Sequence, residues 1–350
     1  ITYKVNSRDT LVGHVAGWIK DLALCMDSID VVCLAANTTE IRDNVRVHSL
    51  GKDHGRRKIA RWINFYQTVW RLRENTDVVF CQFSPEYVLA IAPMARLLGW
   101  PIILWYTHRY VGWKLRLATR LADRIVTASP ESFRISTDKM RVIGHGINTE
   151  QFIPSDSTGG EHPVILAVGR VSPIKNYELL IDALDIVVHQ YGCKNLILRI
   201  VGGDEGNAPH NYMKHLNQRI NRAGLTDVIT LVGPVPHDQI VREYQHATIN
   251  VNLCPTGGMD KAVLEGMAVG VPTLVRNQAF AAMMGTVADL LIIPSDNPQS
   301  IASHLLNLLN MSQKDRQRLG VTLRQIVTTN HDQKLLIKRL DAVVRESAAQ

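Results

Sequence analysis

The sequence predicts an α/β protein built from two doubly wound, parallel-sheet domains in series. Short Val- and Ile-rich runs, apolar nearly throughout, alternate with helix-length segments along the chain. That is the pattern of strands buried on both faces of a parallel sheet with crossover helices between them. The alternation breaks once, at residues 150–162 (Glu-Gln-Phe-Ile-Pro-Ser-Asp-Ser-Thr-Gly-Gly-Glu-His), a Ser/Gly/Pro stretch that reads as a linker. A length of 350 residues is long for one core and comfortable for two.

In the first half the expected strands are 1–6, 29–35, 77–83, 101–106, 124–128 and 140–144, with helices at 12–25, 57–74, 85–98 and 112–122. After the linker the expected strands are 163–168, 195–201, 228–232, 248–253, 272–275 and 290–293. Helices fill 175–191, 210–223, 237–246, 261–269, 297–310, 313–329 and 332–346. The domains are thus 1–150, a linker at 151–162, and 163–350, the last helix being a candidate to cross back to the first domain. Two such domains are expected to face each other across a cleft, with ligands beyond the carboxyl ends of the strands.

Hydrophobic residues make up 46% and charged residues 20%, the balance of a globular protein. No charge-free apolar run approaches the ~18 residues of a membrane helix. Lys4, Arg8, Asp9, Lys20 and Asp21 break any signal-peptide apolar region. Strand-like residues begin at Ile1, so a short stretch is expected upstream. The five cysteines, Cys25, Cys33, Cys81, Cys193 and Cys254, lack Cys-x-x-Cys spacing and read as reduced thiols of a cytoplasmic protein. Neither Asp-x-Asp nor a His/Cys/Asp cluster with ligand spacing occurs, so no metal site is expected.

Net charge is +7, all of it in the first half: residues 1–150 hold 21 Lys and Arg against 14 Asp and Glu, and residues 151–350 hold 18 of each. Arg56, Arg57, Lys58 and Arg61 open a segment whose apolar positions Ile59, Trp62, Ile63, Tyr66, Val69 and Trp70 follow helical spacing. Arg57, Arg61, Asn64, Thr68 and Arg71 take the other face. The pattern fits a helix lying on an anionic membrane surface. It fits equally a core helix with a solvated basic face, or an oligomer contact. Interspersed acids and the absence of a recognised module point away from nucleic acid.

Two motifs carry the chemistry. Residues 165–175 (Ile-Leu-Ala-Val-Gly-Arg-Val-Ser-Pro-Ile-Lys) set Arg170 and Lys175 in a turn between an apolar strand and a helix. A guanidinium forks onto two phosphate oxygens and an ammonium adds a compact charge, so the pair suits a diphosphate. An ordinary turn with solvated charges is the alternative. Residues 257–265 (Gly-Gly-Met-Asp-Lys-Ala-Val-Leu-Glu) run from a glycine-loosened loop into a helix carrying Glu265. The apolar continuation of that helix makes it a buried element, and a buried carboxylate requires partners. Facing a ligand, Glu265 would accept hydrogens from a sugar diol.

In this order, Val-Gly-Arg-Val-Ser-Pro-Ile-Lys-Asn, Val-Gly-Gly-Asp, Leu-Val-Gly-Pro-Val-Pro and Asp-Lys-Ala-Val-Leu-Glu-Gly-Met-Ala-Val-Gly-Val-Pro resemble the retaining glycosyltransferases of family four, whose fold is GT-B: two Rossmann-like domains facing across a cleft. Gly13-His14-Val15, Trp105-Tyr106-Thr107-His108 and Gly144-His145-Gly146-Ile147-Asn148-Thr149-Glu150-Gln151-Phe152 agree more weakly. The resemblance implies that Arg170 and Lys175 bind the donor diphosphate and Glu265 the nucleotide ribose. Met259, Asp260, Lys261 and Leu264 would line the donor sugar and phosphate, His108 would face the transferred sugar, Gly13 would sit near the reacting groups, and Gly233 and Val235 would touch the base. The family commonly has two glutamates eight positions apart, but here Gly257 stands at the first position, and Asp260 is the nearest acid for the lost contact.

The implied activity is metal-independent, retaining transfer of a hexose-type sugar from a UDP- or GDP-linked donor. The acceptor would be a hydroxyl of a glycan, a lipid-linked sugar or a small molecule, with no separate cofactor. The implied location is cytoplasmic, with peripheral contact at the inner membrane face through the basic first domain. A nucleotide-sugar epimerase and a non-catalytic partner subunit of the same fold are the alternatives.

Overall fold

The computed structural model describes residues 1–6, 13–37, 41–155, 162–203, 211–255 and 257–349. The chain forms two compact units, Ile1–Gly146 with Gln333–Gln350, and Ile147–Asp332. Of the expected linker, residues 156–161 lie outside the described part.

The first unit contains β1 (Thr2–Val5), α1 (Gly13–Leu22), β2 (Ile29–Ala36), β3 (Val45–Ser49), α2 (Lys58–Arg71), β4 (Val79–Gln82), α3 (Pro85–Leu98), β5 (Ile102–Trp105), α4 (Trp113–Leu121), β6 (Arg124–Thr127) and β7 (Met140–Val142). Its strands pair in parallel in the orders β1-β2-β3 and β4-β5-β6-β7. The Gln82 N–H donates to Ile1 O at 2.9 Å and Thr2 Oγ1 to Gln82 Oε1 at 2.7 Å, which sets β1 beside β4. The strand order therefore reverses direction between β1 and β4, the place where doubly wound sheets open a crevice. Ile102, Ile103, Leu104 and Trp105 are wholly buried. Trp18 meets Trp105 edge-on at 5.1 Å, and Leu336 and Leu340 of the last helix join this cluster.

β3 was not among the expected strands. Val45-Arg46-Val47-His48-Ser49 alternates apolar and polar residues and is only partly buried. A half-exposed edge strand has period two, not the continuous apolar run of a central parallel strand.

α2 does not bury its apolar stripe as a core helix would, although Lys58 and Arg71 are exposed. Phe65, Thr68 and Val69 are buried. Ile59 (76% exposed), Trp62 (42%), Ile63 (54%), Tyr66 (39%) and Trp70 (49%) form an outward arc. No helix among the described residues is long and apolar enough to cross a membrane.

The second unit contains β8 (Val164–Val168), α5 (Tyr177–Asp185), β9 (Ile197–Val201), α6 (Asn211–Arg222), β10 (Ile229–Gly233), α7 (Ile240–His246), β11 (Ile249–Asn252), α8 (Lys261–Ala268), β12 (Thr273–Val275), the short α9 (Ala281–Met284) and α10 (Ala288–Leu291), α11 (Pro298–Leu309) and α12 (Gln313–Asn330). Its five parallel strands run β10-β9-β8-β11-β12, so direction reverses between β8 and β11. The core is aliphatic, with Ile165, Leu166, Leu198, Ile249, Val263 and Leu264 fully enclosed. Each such burial contributes about 1.5–3 kcal/mol.

Two expectations need correction here. Residues 290–293 are not a strand: α10 occupies 288–291 and only an isolated bridge joins Ile292 to Val275. The apolar run belongs to a helical turn packed on β12, and composition alone does not separate the two. The helix expected at 175–191 is split: a 3₁₀ turn (Pro173–Lys175) precedes α5, and α5 passes into a π-helical turn at Ile186–Gln190.

Candidate functional site

In the second unit the residues of both sequence motifs gather at the reversal between β8 and β11. β8 ends at Val168, and Gly169 and Arg170 follow. Asn176 adopts the left-handed conformation (φ 52°, ψ 41°), which asparagine tolerates better than most residues. Its Nδ2 donates to Leu253 O, just past β11, at 3.2 Å. This contact ties the turn after β8 to the turn after β11 and fixes where Lys175 points.

Lys175 makes an ion pair with Asp260, 85 residues away, in which the ammonium donates to Oδ2. Asn252 Nδ2 donates to the same oxygen at 3.0 Å, and the Ala262 N–H donates to Oδ1 at 3.2 Å. Asp260 is thus also the N-cap of α8, a role worth about 1 kcal/mol. Burial works against its charge, but Lys175, Asn252 and the Ala262 amide together hold the carboxyl below its ordinary range.

Glu265 is one turn further along α8 and only 7% exposed. The Tyr244 hydroxyl donates to its Oε2 at 3.0 Å, and His237 Nε2 lies 3.6 Å from Oε1. The same hydroxyl is 3.1 Å from Ala262 O. Burial, then the Glu265 carboxylate, push the Tyr244 hydroxyl far above its usual range, so it remains a donor. Between Asp260 and Glu265 lies Lys261, whose ammonium nitrogen is enclosed although the residue as a whole is half-buried. Burial pushes it down to about 7, only partly offset by Glu265 four residues on.

The backbone here is packed too closely for side chains. A Cβ on Gly202, just after β9, would lie 1.8 Å from Gly169 O. Gly233 ends β10 with φ 85°, its carbonyl accepting from the Gly202 N–H at 2.9 Å, and half-buried Val235 packs on the core beyond it. Arg170 is exposed, Met259 is half-buried and Leu264 fully buried. Gly257 has φ 125° and open space around its Cα. Among the described residues, no three His, Cys, Asp or Glu side chains gather as metal ligands.

His108 and Gly13 belong to the first unit. Gly13 is the first residue of α1; the loop before it, 7–12, lies outside the described residues, as does the side chain of His14. His108 is exposed and lines a groove of about 650 Å³ at the carboxyl ends of β4 and β5, with Phe83, Glu86, Tyr106, Trp113 and Lys114. Phe83 has φ 70°, and the Ser84 N–H bonds back to Gln82 O at 2.9 Å. Such a γ-turn on a non-glycine residue is strained, as backbone at functional sites often is. Lys114 donates to Glu86 at 2.7 Å across the groove.

Sequence reasoning did not single out Asn252, His237 or Tyr244. Asn250 and Asn252, alternating within a strand buried on both faces, were the available signal, because a buried amide there requires a partner. His237 and Tyr244 reach Glu265 only through the fold, and no spacing announces them.

Parallel sheets in two units, with a cationic turn and a carboxylate helix meeting at one reversal point, place the protein in the GT-B class. The family model of the glycosyl transferases group 1 matches residues 162–311 of the chain. The chain is 26% identical over 243 residues to the GDP-mannose-dependent alpha-(1-6)-phosphatidylinositol monomannoside mannosyltransferase of Mycobacterium tuberculosis, covering 60% of this chain and 61% of that one. It is 26% identical over 172 residues to mannosylfructose-phosphate synthase of Agrobacterium fabrum, covering 45% of this chain and 38% of that one. The matched part is thus less than two thirds of either relative. The fold is similar to that of Anabaena HepE, solved with UDP and glucose, at a TM-score of 0.78 and 16% identity over 98% of both chains. It is also similar to a glycosyltransferase from Rickettsia africae, at 0.80 and 14% identity over 99% of this chain and 97% of that one.

Proposed function

We propose that this chain is a glycosyltransferase that moves a hexose-type sugar from a nucleoside diphosphate donor, UDP- or GDP-linked, to an acceptor hydroxyl. The carrying observation is the meeting of Lys175, Asp260 and Glu265 at the β8/β11 reversal, with Arg170 on the same turn as Lys175. In the proposed reaction the bond between the anomeric carbon and the diphosphate breaks, and negative charge collects on the leaving oxygen. Arg170 and Lys175 stabilise that charge, so no metal is needed. The acceptor oxygen attacks the oxocarbenium-like carbon from the face the diphosphate leaves, and its proton passes to a leaving phosphate oxygen. Configuration is retained and no separate base is required. Glu265, held by Tyr244, accepts the ribose hydroxyls, and Gly233 and Val235 contact the base.

Lys175 is already paired with Asp260, so the donor phosphate must share or replace that carboxylate. Asp260 is also committed to Asn252 and the start of α8, which leaves less of it for the donor sugar than a free acid would offer. Lys261 then supplies a further cation at this site. We place the acceptor in the first-unit groove beside His108, and the protein in the cytoplasm with α2 on an anionic membrane face. Free thiols on all five cysteines and the outward aromatic arc of α2 support that placement.

A thermal-shift screen of UDP, GDP, ADP and their sugars tests the reading, because a ligand selective for the native state raises apparent stability. One nucleotide diphosphate should stabilise wild type and fail to stabilise Lys175→Ala. No response to any nucleotide would favour a non-catalytic partner subunit. Release of free nucleotide or an altered sugar without acceptor would favour an epimerase.

A further inference from the structure

Beneath α2 the first unit holds a second cavity, of about 330 Å³, that the proposed reaction leaves unused. Its walls are Val32, Leu34, Leu50, Phe65 and Ala90, so its body is hydrocarbon. Its size is within the range of small-molecule sites, about 300–1,000 Å³. α2 forms one wall and is pinned to α3 by the Tyr66 hydroxyl donating to Ala90 O at 3.0 Å. Tyr3, Ser84, Glu86 and Tyr87 line both this cavity and the groove that contains His108, so the two adjoin across a shared wall.

The cationic residues on the lining are Lys58 and Arg61, both from α2. Arg61 Nε is buried and has no hydrogen-bond partner among the described residues. That nitrogen is closed off from the cavity, so an anion held there would meet the Lys58 ammonium and the remaining guanidinium N–H groups of Arg61. The same helix turns Trp62, Ile63 and Trp70 outward beside this cavity. An apolar chamber, two cationic side chains on its lining and an outward aromatic face on one helix fit a single ligand chemistry.

We propose that this cavity binds the hydrocarbon chain of an amphiphilic acceptor, with the acceptor's phosphate at Lys58 and Arg61 and its sugar or alcohol head in the groove beside His108. That the ligand is the acceptor rests on the transferase reading; that the cavity binds an alkyl phosphate does not. Each buried methylene adds about 0.8 kcal/mol. Affinity should therefore rise with chain length until the cavity is full.

The test is calorimetric titration of the whole chain with n-octyl phosphate below its micelle concentration, against n-butyl phosphate, inorganic phosphate and n-octyl glucoside. Octyl phosphate should bind saturably at one site, at least tenfold more tightly than any of the other three. Ala90→Phe fills the cavity and should weaken it at least tenfold. Lys58→Glu, an exposed change that leaves packing intact, should weaken octyl phosphate several-fold and leave octyl glucoside unchanged. Titration of the same samples with UDP and GDP reads the second unit separately: retained nucleotide binding in Ala90→Phe shows that the variant is folded. Octyl phosphate binding no tighter than inorganic phosphate, or equally tight to wild type and Ala90→Phe, would overturn the proposal. Loss of nucleotide binding with octyl phosphate binding intact would instead count against the donor site.

Discussion

Lys175 and Asp260 stand 85 residues apart in sequence and form an ion pair at the carboxyl ends of β8 and β11. The pair closes the gap between the turn that carries Arg170 and the helix that carries Glu265. Under the proposed function it also sets the cost of admitting a donor phosphate, since that anion would meet a cation that already has a counter-ion.

Replacing Lys175 with Ala should therefore remove a leaving-group contact and strand Asp260. The expected loss in kcat/KM corresponds to roughly 2–4 kcal/mol, by analogy with removal of a single oxyanion donor. Far-UV circular dichroism should be unchanged. Equal kcat/KM in variant and wild type would remove Lys175 from the reaction.

Asp260 makes a pH prediction whose sign is fixed. Its folded-state pKa is below the ordinary value of 3.8, so its contribution to stability is fully present above that value and is lost as pH falls through the lower folded one. Asp260→Asn retains a cap but not the charge. The gap in melting temperature between wild type and variant should be widest near neutrality and close on strong acidification. A gap that does not change with pH would show that the carboxylate is not held by its neighbours.

Lys261 behaves in the opposite sense. Its folded-state pKa is lowered to about 7 from 10.5, so between those values the unfolded chain binds more protons, and stability from this group rises with pH. Lys261→Gln should be more stable than wild type near pH 7, with the advantage fading toward pH 10.5. If a diphosphate binds beside Lys261, it restores the charge. Calorimetry at about pH 8 in buffers of different ionisation enthalpy should then detect proton uptake on UDP or GDP binding. Binding without proton exchange would place the nucleotide away from this lysine.

Tyr244→Phe removes the donor to a carboxylate that is 7% exposed. Leaving that oxygen unsatisfied should lower the unfolding free energy by about 1–3 kcal/mol, read from denaturant midpoints. An unmoved midpoint would mean that His237 or the N-terminal half of α8 compensates.

α2 offers a test of surface attachment. Wild type should co-sediment with vesicles containing anionic lipid and not with neutral ones, and Trp62→Glu with Ile63→Glu should abolish this binding. Equal, negligible binding to both vesicle types would leave the exposed arc to another partner.

Much of the fold was legible because its signals are local. Ile102 to Trp105 reads as a buried strand from four consecutive apolar residues, and it is one. β3 was not legible because its alternation matches a different template, and 290–293 was misread because a short apolar run does not distinguish strand from helical turn. α2 shows the limit most plainly. Its helix was legible but its faces only in part: Val69, grouped by spacing with the aromatic arc, is buried with Phe65 and Thr68, and only that burial decides that Ile59, Trp62, Ile63, Tyr66 and Trp70 face outward.

At the candidate site, the sequence alone determined which charges exist and that each follows a strand end: Arg170 and Lys175 after β8, Asp260, Lys261 and Glu265 after β11. It did so because motif spacing and hydrophobic period are properties of neighbouring residues. Tertiary structure alone decided who pairs with whom. Asp260 with Lys175, and Gly202 against the Gly169 carbonyl, join segments that leave strands made adjacent by the order β10-β9-β8-β11-β12, while Glu265 with Tyr244 joins the two helices that flank β11 in the chain. Adjacency in a parallel sheet is set by crossover topology, and crossover topology is not encoded in any single window of sequence.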